Sequence, residues 1–149
     1  MNATIRRFIL DIIEHERDLT LATVREDGYP QATTVSYASD GLTIYVGTGP
    51  DSQKVRNIRH SDKVSLTIDT DYSDWSQIRG LSMGGRAKVL TDRAEIEHAA
   101  ACLVKKFPQA AEWASPEESE DVVFLKITPE VISVLDYRKG FGHTELVRV

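Results

Sequence analysis

Strict two-residue alternation limits most strongly what this chain can fold into. Val64, Leu66 and Ile68 alternate with Ser65, Thr67 and Asp69, as in a strand with one buried face and one wet face. The same period recurs at Leu42, Ile44 and Val46, with Thr43 and Tyr45 on the opposite face. Turn signals separate such runs: Arg25-Glu26-Asp27-Gly28 followed by Pro30, and Ser39-Asp40-Gly41. Acidic residues followed by glycine favour tight reversals. The expected strands cover 19–24, 31–38, 42–47 and 63–69, then a long one over 77–90, and two last ones over 122–128 and 131–137 around Pro129. The first three read as an antiparallel meander. Gly84-Gly85 inside the long strand marks a bulge, a bend or a close backbone approach.

Helical spacing appears in three places. Ile5, Phe8, Ile9, Ile12 and Ile13 form one apolar stripe over 3–16, with Asn2 as a cap. A short helix over 52–60 turns Val55 and Ile58 inward. A third opens at Asp92, with Glu95 three residues on, and carries Ile96, Ala99, Ala100, Leu103 and Phe107 inward until Pro108 ends it. Residues 110–121 are acidic and read as a loop or frayed turn, and 138–143 as a glycine-containing tail. About seven short strands with a few helices predict a mainly β, antiparallel small barrel or sandwich. The 149 residues suit one domain.

Composition excludes several classes. A net charge of −5 argues against broad nucleic-acid binding. No apolar run of about 18 residues is present, so no membrane helix is expected. Met1 to Ile13 lacks the apolar core of a signal peptide, and the expected location is cytoplasmic. The single cysteine, Cys102, cannot form an internal disulfide or a cysteine-rich metal site, and reads as a small core residue. His15, His60 and His98 lie on helices without partners at ligand spacing, and no metal site is expected.

Chemistry concentrates in GTGPDSQKVRNIRHSDKV, residues 47–64. A strand ends in glycines and a helix opens with Asp51, Ser52, Gln53 and Lys54. Unpaired first-turn N–H groups and the helix dipole favour an anion there. Ser52 adds a hydroxyl, Lys54 a full positive charge, and Arg56 and Arg59 further positive potential. A capped surface helix with solvated basic residues explains the same pattern equally well. Neither a Walker motif nor a dinucleotide fingerprint is present. Trp75, Gln77 and Arg79 precede or open the long strand, as an interface or as a hairpin tip. Tyr137, Arg138 and His143 belong to a candidate substrate side, where His143 can exchange a proton near neutral pH.

The order LATVREDGYPQATTVSYASDGLTIYVGT, then SQKVRNIRHSDKVSLTID, then GRAKVL resembles the FMN-binding split-barrel proteins related to pyridoxamine 5'-phosphate oxidase. The strongest local piece is S-x-K-x-x-N-I at Ser52, Lys54, Asn57 and Ile58, with Gly85-Arg86-Ala87 fitting a later family strand. The resemblance implies an antiparallel split β-barrel with flanking helices. It implies a homodimer with two FMN molecules at the subunit interface. The FMN phosphate is expected near Thr48, Ser52, Gln53 and Lys54. Backbone groups around Thr33, Thr34, Val35 and Ser36 are expected beside the flavin ring. The partner chain is expected to contribute from Trp75, Gln77 and Arg79.

The implied activity is that of an oxidoreductase acting on a small organic substrate. The same scaffold also serves deazaflavin reductases and haem-binding proteins, and a non-catalytic flavin-binding role stays open. The triplet here is Ser52-Gln53-Lys54 where the family's oxidases carry S-R-K. Thr33 and Thr34 stand where those oxidases place an arginine early in the second strand. Their C-terminal arginine and histidine motif has no clear match. These departures count against oxidation of pyridoxamine phosphate itself.

Overall fold

The computed structural model describes residues 1–114 and 121–149. Among them, eight strands form one antiparallel sheet: β1 (Asp18–Val24), β2 (Pro30–Ser36), β3 (Ala38–Asp40), β4 (Thr43–Thr48), β5 (Lys63–Asp69), β6 (Arg79–Val89), β7 (Val123–Asp136) and β8 (Thr144–Arg148). Three helices flank it: α1 (Ala3–His15), α2 (Gln53–His60) and α3 (Arg93–Lys106). The spatial order is β2-β1-β5-β6-β7-β4-β3, with β8 added beside β7.

That order explains the shape. β2 and β3 are the two ends of the strand path, yet only Tyr37 separates them in the chain. A sheet whose opposite edges are joined by one residue must curl back on itself, and the result is a split barrel. Tyr37 fixes the seam: its hydroxyl donates to the Ile13 carbonyl at 2.7 Å and its N–H to the Arg17 carbonyl at 3.2 Å. The expected meander over 19–47 is therefore corrected. β1 pairs with β2 and β3 with β4, but β4 continues to β7 rather than lying beside β2 along a ladder.

Two cores result. Ile9, Ile12 and Ile13 of α1, together with Val55 and Ile58 of α2, pack with the inward residues of the strands. A second cluster lies outside β3 and β4, where Leu103 and Phe107 of α3 meet Ala38, Tyr45 and Phe124. Tyr45 was expected opposite the buried face of its strand; α3 covers that face too, so Ile44, Tyr45 and Val46 are all buried. The caps follow the sequence: Asn2 accepts from the Ile5 N–H, and Asp92 from the Glu95 N–H.

Residues 123–136 form one strand, not two around Pro129. Proline lacks a backbone donor. On one side of β7, β4 pairs with 123–127 and β8 with 131–135, so Pro129 falls in the gap between two partners. On the other side the register shifts between Gly84 and Gly85. A Cβ at residue 85 would stand 2.5 Å from the Thr128 carbonyl oxygen, so only glycine fits this approach. The tail over 138–143 is likewise corrected: a 3-10 turn, Tyr137–Lys139, leads through Gly140 and Gly142, both at positive φ, into β8. The tight turn expected at 39–41 shifts by one residue, because Asp40 still pairs with Thr43. Of the expected loop over 110–121, Pro108–Glu112 is a 3-10 turn and 115–120 lies outside the described residues.

Candidate functional site

β4 ends at Thr48, and the chain turns through Gly49 to start α2. Ser52 is the N-cap residue of α2, but its side chain makes no capping bond. Instead its hydroxyl accepts from the Thr48 hydroxyl at 3.5 Å, and Lys54 Nζ reaches Thr48 Oγ1 at 3.5 Å. Both contacts sit at the outer limit of a hydrogen bond. Two hydroxyls and an ammonium thus converge on a helix N-terminus while bound only loosely to one another. Among the described residues, Lys54 has no carboxylate partner. First-turn N–H groups, hydroxyls and an unneutralised cation together make a donor set for an anion such as a phosphate.

The helix is aimed by a buried polar anchor. Asn57 is 1% exposed. Its amide donates to Thr23 Oγ1 at 3.0 Å and to Gln31 Oε1 at 3.2 Å, and its oxygen accepts from Gln53 Nε2 at 2.8 Å. α2 is thereby pinned to β1 and β2 through side chains as well as through Val55 and Ile58. Gln53 serves this anchor and also accepts from Arg56 at 2.7 Å, so it turns away from the Thr48–Lys54 corner. Asn57 stood in the sequence pattern without a role. A polar residue between Val55 and Ile58 on the inward face was the signal that it is an anchor.

The barrel's open side lies next to this corner. β2 pairs only with β1, which leaves its other edge with unpaired backbone N–H and C=O groups. An open edge of this kind takes up a ligand or a partner chain. Register with β1 sets the faces: Thr33 and Val35 oppose the buried Leu21 and Leu19, while Thr34 and Ser36 face out. The Thr34 hydroxyl meets Thr20 Oγ1 at 3.3 Å, and the Ser36 hydroxyl donates to Asp18 at 2.9 Å. A cavity of ≈ 280 Å³ adjoins Val35, Ser36 and Gly47, walled by Leu103, Phe107 and Trp113. Gly47 lets the indole close down on β4, since a Cβ there would stand 3.2 Å from Trp113.

The remaining expected site residues gather elsewhere. Arg79 pairs with Asp136 at one end of β7, whereas Thr48 pairs with Val123 at the other. Thirteen steps of strand separate them, about 40 Å of chain path. At the Arg79 end, Trp75 and Phe141 lie 6.2 Å apart between ring centroids, and Tyr137 and Phe141 5.4 Å apart. Trp75 is 64% and Phe141 78% exposed, an apolar surface left bare in one chain. Gln77 is exposed and Arg79 half-buried. Arg138 is committed to Asp136 through bonds of 2.8 and 3.0 Å, and this ion pair holds the Asp136 carboxyl below its usual range. His143 Nε2 lies 3.2 Å from Glu145. Arg138 and His143 share a ≈ 160 Å³ cavity with Ile5 and Phe8 of α1.

Comparison with known proteins agrees with this architecture. Over 133 residues the chain is 26% identical to general stress protein 26 of Bacillus subtilis (strain 168), covering 89% of each. A heme-binding protein from Mycobacterium smegmatis superposes with a TM-score of 0.83 at 18% identity; the match covers 99% of this chain and 59% of that one. General stress protein 26 from Bacillus anthracis gives a TM-score of 0.71 at 22% identity over 97% of this chain and 98% of the other. No helix among the described residues is long and apolar enough to cross a membrane. The family model described as pyridoxamine 5'-phosphate oxidase matches residues 5–136, and the chain belongs to that family.

Proposed function

We propose that this protein is an FMN-binding oxidoreductase that works as a homodimer on a small organic substrate. The observation that carries the proposal is the convergence of Thr48, Ser52 and Lys54 at the mouth of α2, beside an open strand edge. In this reading the anion corner holds the FMN phosphate. The free edge of β2, from Thr33 to Ser36, offers backbone groups to the ring, and the apolar wall of Leu103, Phe107 and Trp113 lies beside it. Bound flavin supplies the hydride or electron chemistry; the chain binds, orients and shields it.

Two features support a second copy. The cavity of ≈ 280 Å³ falls just short of pockets that enclose a ligand of this size, roughly 300–1,000 Å³. Trp75, Gln77 and Arg79 lie at the far end of β7 from Lys54, so they reach an FMN at the Lys54 corner only from a partner chain. The exposed aromatic surface of Trp75 and Phe141 would then be buried against that partner.

Haem is the competing cofactor, named in two structural neighbours, the Mycobacterium smegmatis protein and a heme storage protein from Vibrio cholerae. Among the described residues, the cavity beside β2 is lined by no histidine, cysteine, methionine or tyrosine. Within one chain it therefore offers none of the usual axial ligands to a haem iron, and haem would need its ligand from the partner. Anaerobic titration tests the activity. FMN-loaded protein is mixed with reduced nicotinamide cofactors and candidate organic donors while the flavin absorbance is followed. Bleaching by one donor, with return of colour on adding an acceptor, supports an oxidoreductase. Tight FMN binding with no bleaching by any donor would make the protein a flavin carrier.

A further inference from the structure

Outside this site, one cluster combines three kinds of metal donor. His98 and Cys102 stand one helical turn apart on α3, with Nε2 and Sγ 3.7 Å apart. Asp40, at the end of β3, brings its Oδ2 to 2.9 Å from the same nitrogen. In the chain Asp40 precedes His98 by 58 residues, which is why spacing alone leaves the cluster out of sight. Tyr45 packs edge-on against the His98 ring, at 5.7 Å and 82°, and restrains its orientation. All three side chains line a cavity of ≈ 530 Å³ between α3 and β3.

We propose that Asp40, His98 and Cys102 form an open binding site for a divalent zinc-type cation. Two donors on one tetrahedral zinc ion stand about 3.4–3.6 Å apart, given bonds of roughly 2.0–2.3 Å. The His98–Cys102 separation of 3.7 Å lies just above that range, so a small closure brings both donors onto one ion. The Asp40 contact is shorter, as a hydrogen bond should be, and an ion replaces the shared proton. Asp40 and Cys102 are not yet mutually within 4.8 Å, so the carboxylate and thiol swing toward His98 as the ion enters. Asp40 and His98 are both at least half exposed, which leaves them free to make that movement.

The donor chemistry selects the ion. Imidazole nitrogen, thiolate sulfur and one carboxylate suit zinc, cobalt or nickel and disfavour magnesium or calcium. Binding releases the thiol proton to solvent. Three protein ligands leave a fourth position open to water or a small ligand from the cavity, the arrangement of a reactive rather than a closed structural site. Asp11, Glu14 and His15 on α1 also approach one another, but both carboxylates are already paired with Arg7 and the group offers no sulfur.

Cobalt(II) is the probe, added to full-length protein free of any affinity tag. Difference spectra are taken against the same protein loaded with zinc, so that any flavin absorbance cancels. A thiolate-to-cobalt charge-transfer band at one equivalent is expected. Cys102→Ser should abolish the band, His98→Ala should weaken binding by at least tenfold, and Asp40→Asn should weaken it less. His15→Ala should leave it unchanged. No band at a large excess of cobalt would overturn the proposal. So would a band that survives Cys102→Ser, or one whose midpoint is unmoved in His98→Ala. Retained far-UV circular dichroism in each variant separates loss of ligand from loss of fold.

Discussion

Asn57 on α2 and Thr23 on β1 share a buried hydrogen bond of 3.0 Å, and this bond holds the middle of the helix against the barrel. Asn57→Ala removes it and strips Thr23, Gln31 and Gln53 of a partner at once. Leaving buried polar groups unsatisfied costs about 1–3 kcal/mol. Urea denaturation should show a loss of that size. FMN affinity should fall as well, because the corner loses its aim. Weakened stability with unchanged FMN affinity would show that the anchor is structural only.

Lys54→Ala removes the ammonium that reaches Thr48 and should weaken FMN binding by about 1–3 kcal/mol, the scale of a charge-assisted hydrogen bond. Riboflavin lacks the phosphate, so it should bind the wild type less tightly than FMN and be nearly indifferent to the substitution. Equal losses for both ligands in a fluorescence titration would move the phosphate elsewhere.

Gly85→Ala places a methyl group 2.5 Å from the Thr128 carbonyl oxygen. The strand has no room to yield, because Pro129 is buried directly opposite. Overpacking of this kind costs about 1–3 kcal/mol or more. Thermal unfolding should detect the loss, and a neutral result would mean that β6 and β7 can re-register.

Lys106 gives the fold a signature in alkaline solution. Its ammonium lies 3.7 Å above the Tyr37 ring with no hydrogen-bond partner among the described residues, and burial, reinforced by Arg17, brings its pKa from the ordinary 10.5 to about 8. Below about pH 8 both folded and unfolded chains hold the proton. Between about 8 and 10.5 the unfolded chain binds more protons, so this group makes stability rise with pH across that window. Lys106→Met should remove that rise. Comparing the two proteins by urea denaturation at pH 7 and pH 9.5 checks it; parallel pH dependences would contradict the assignment.

Much of this was legible from local pattern. Lys63–Asp69 alternates cleanly because one face meets the core and the other solvent. The Gly84-Gly85 bulge was readable because glycine is the residue that permits close backbone approach. Sheet order was not legible, since nothing local tells β4 to leave β2 and join β7. Pro129 reads as a break until the gap between β4 and β8 shows that its missing donor has no partner to lose. Within the site, Ser52 and Lys54 were visible as a helix start with a charge. The diversion of Gln53 to Asn57, and the placing of Trp113 over Gly47, depend on contacts between distant segments.

Light scattering should give twice the chain mass, and Trp75→Ala together with Phe141→Ala should shift the protein toward monomer. FMN affinity should fall with the dimer. A wild-type monomer that holds FMN fully would contradict the shared site.

FMN binding itself is read most directly from an absorbance spectrum of the purified protein, incubated with FMN and passed through a gel-filtration column. Flavin bands should travel with the protein at about one FMN per chain, with much less retained by Lys54→Ala. Protein that elutes colourless after saturating FMN would contradict it.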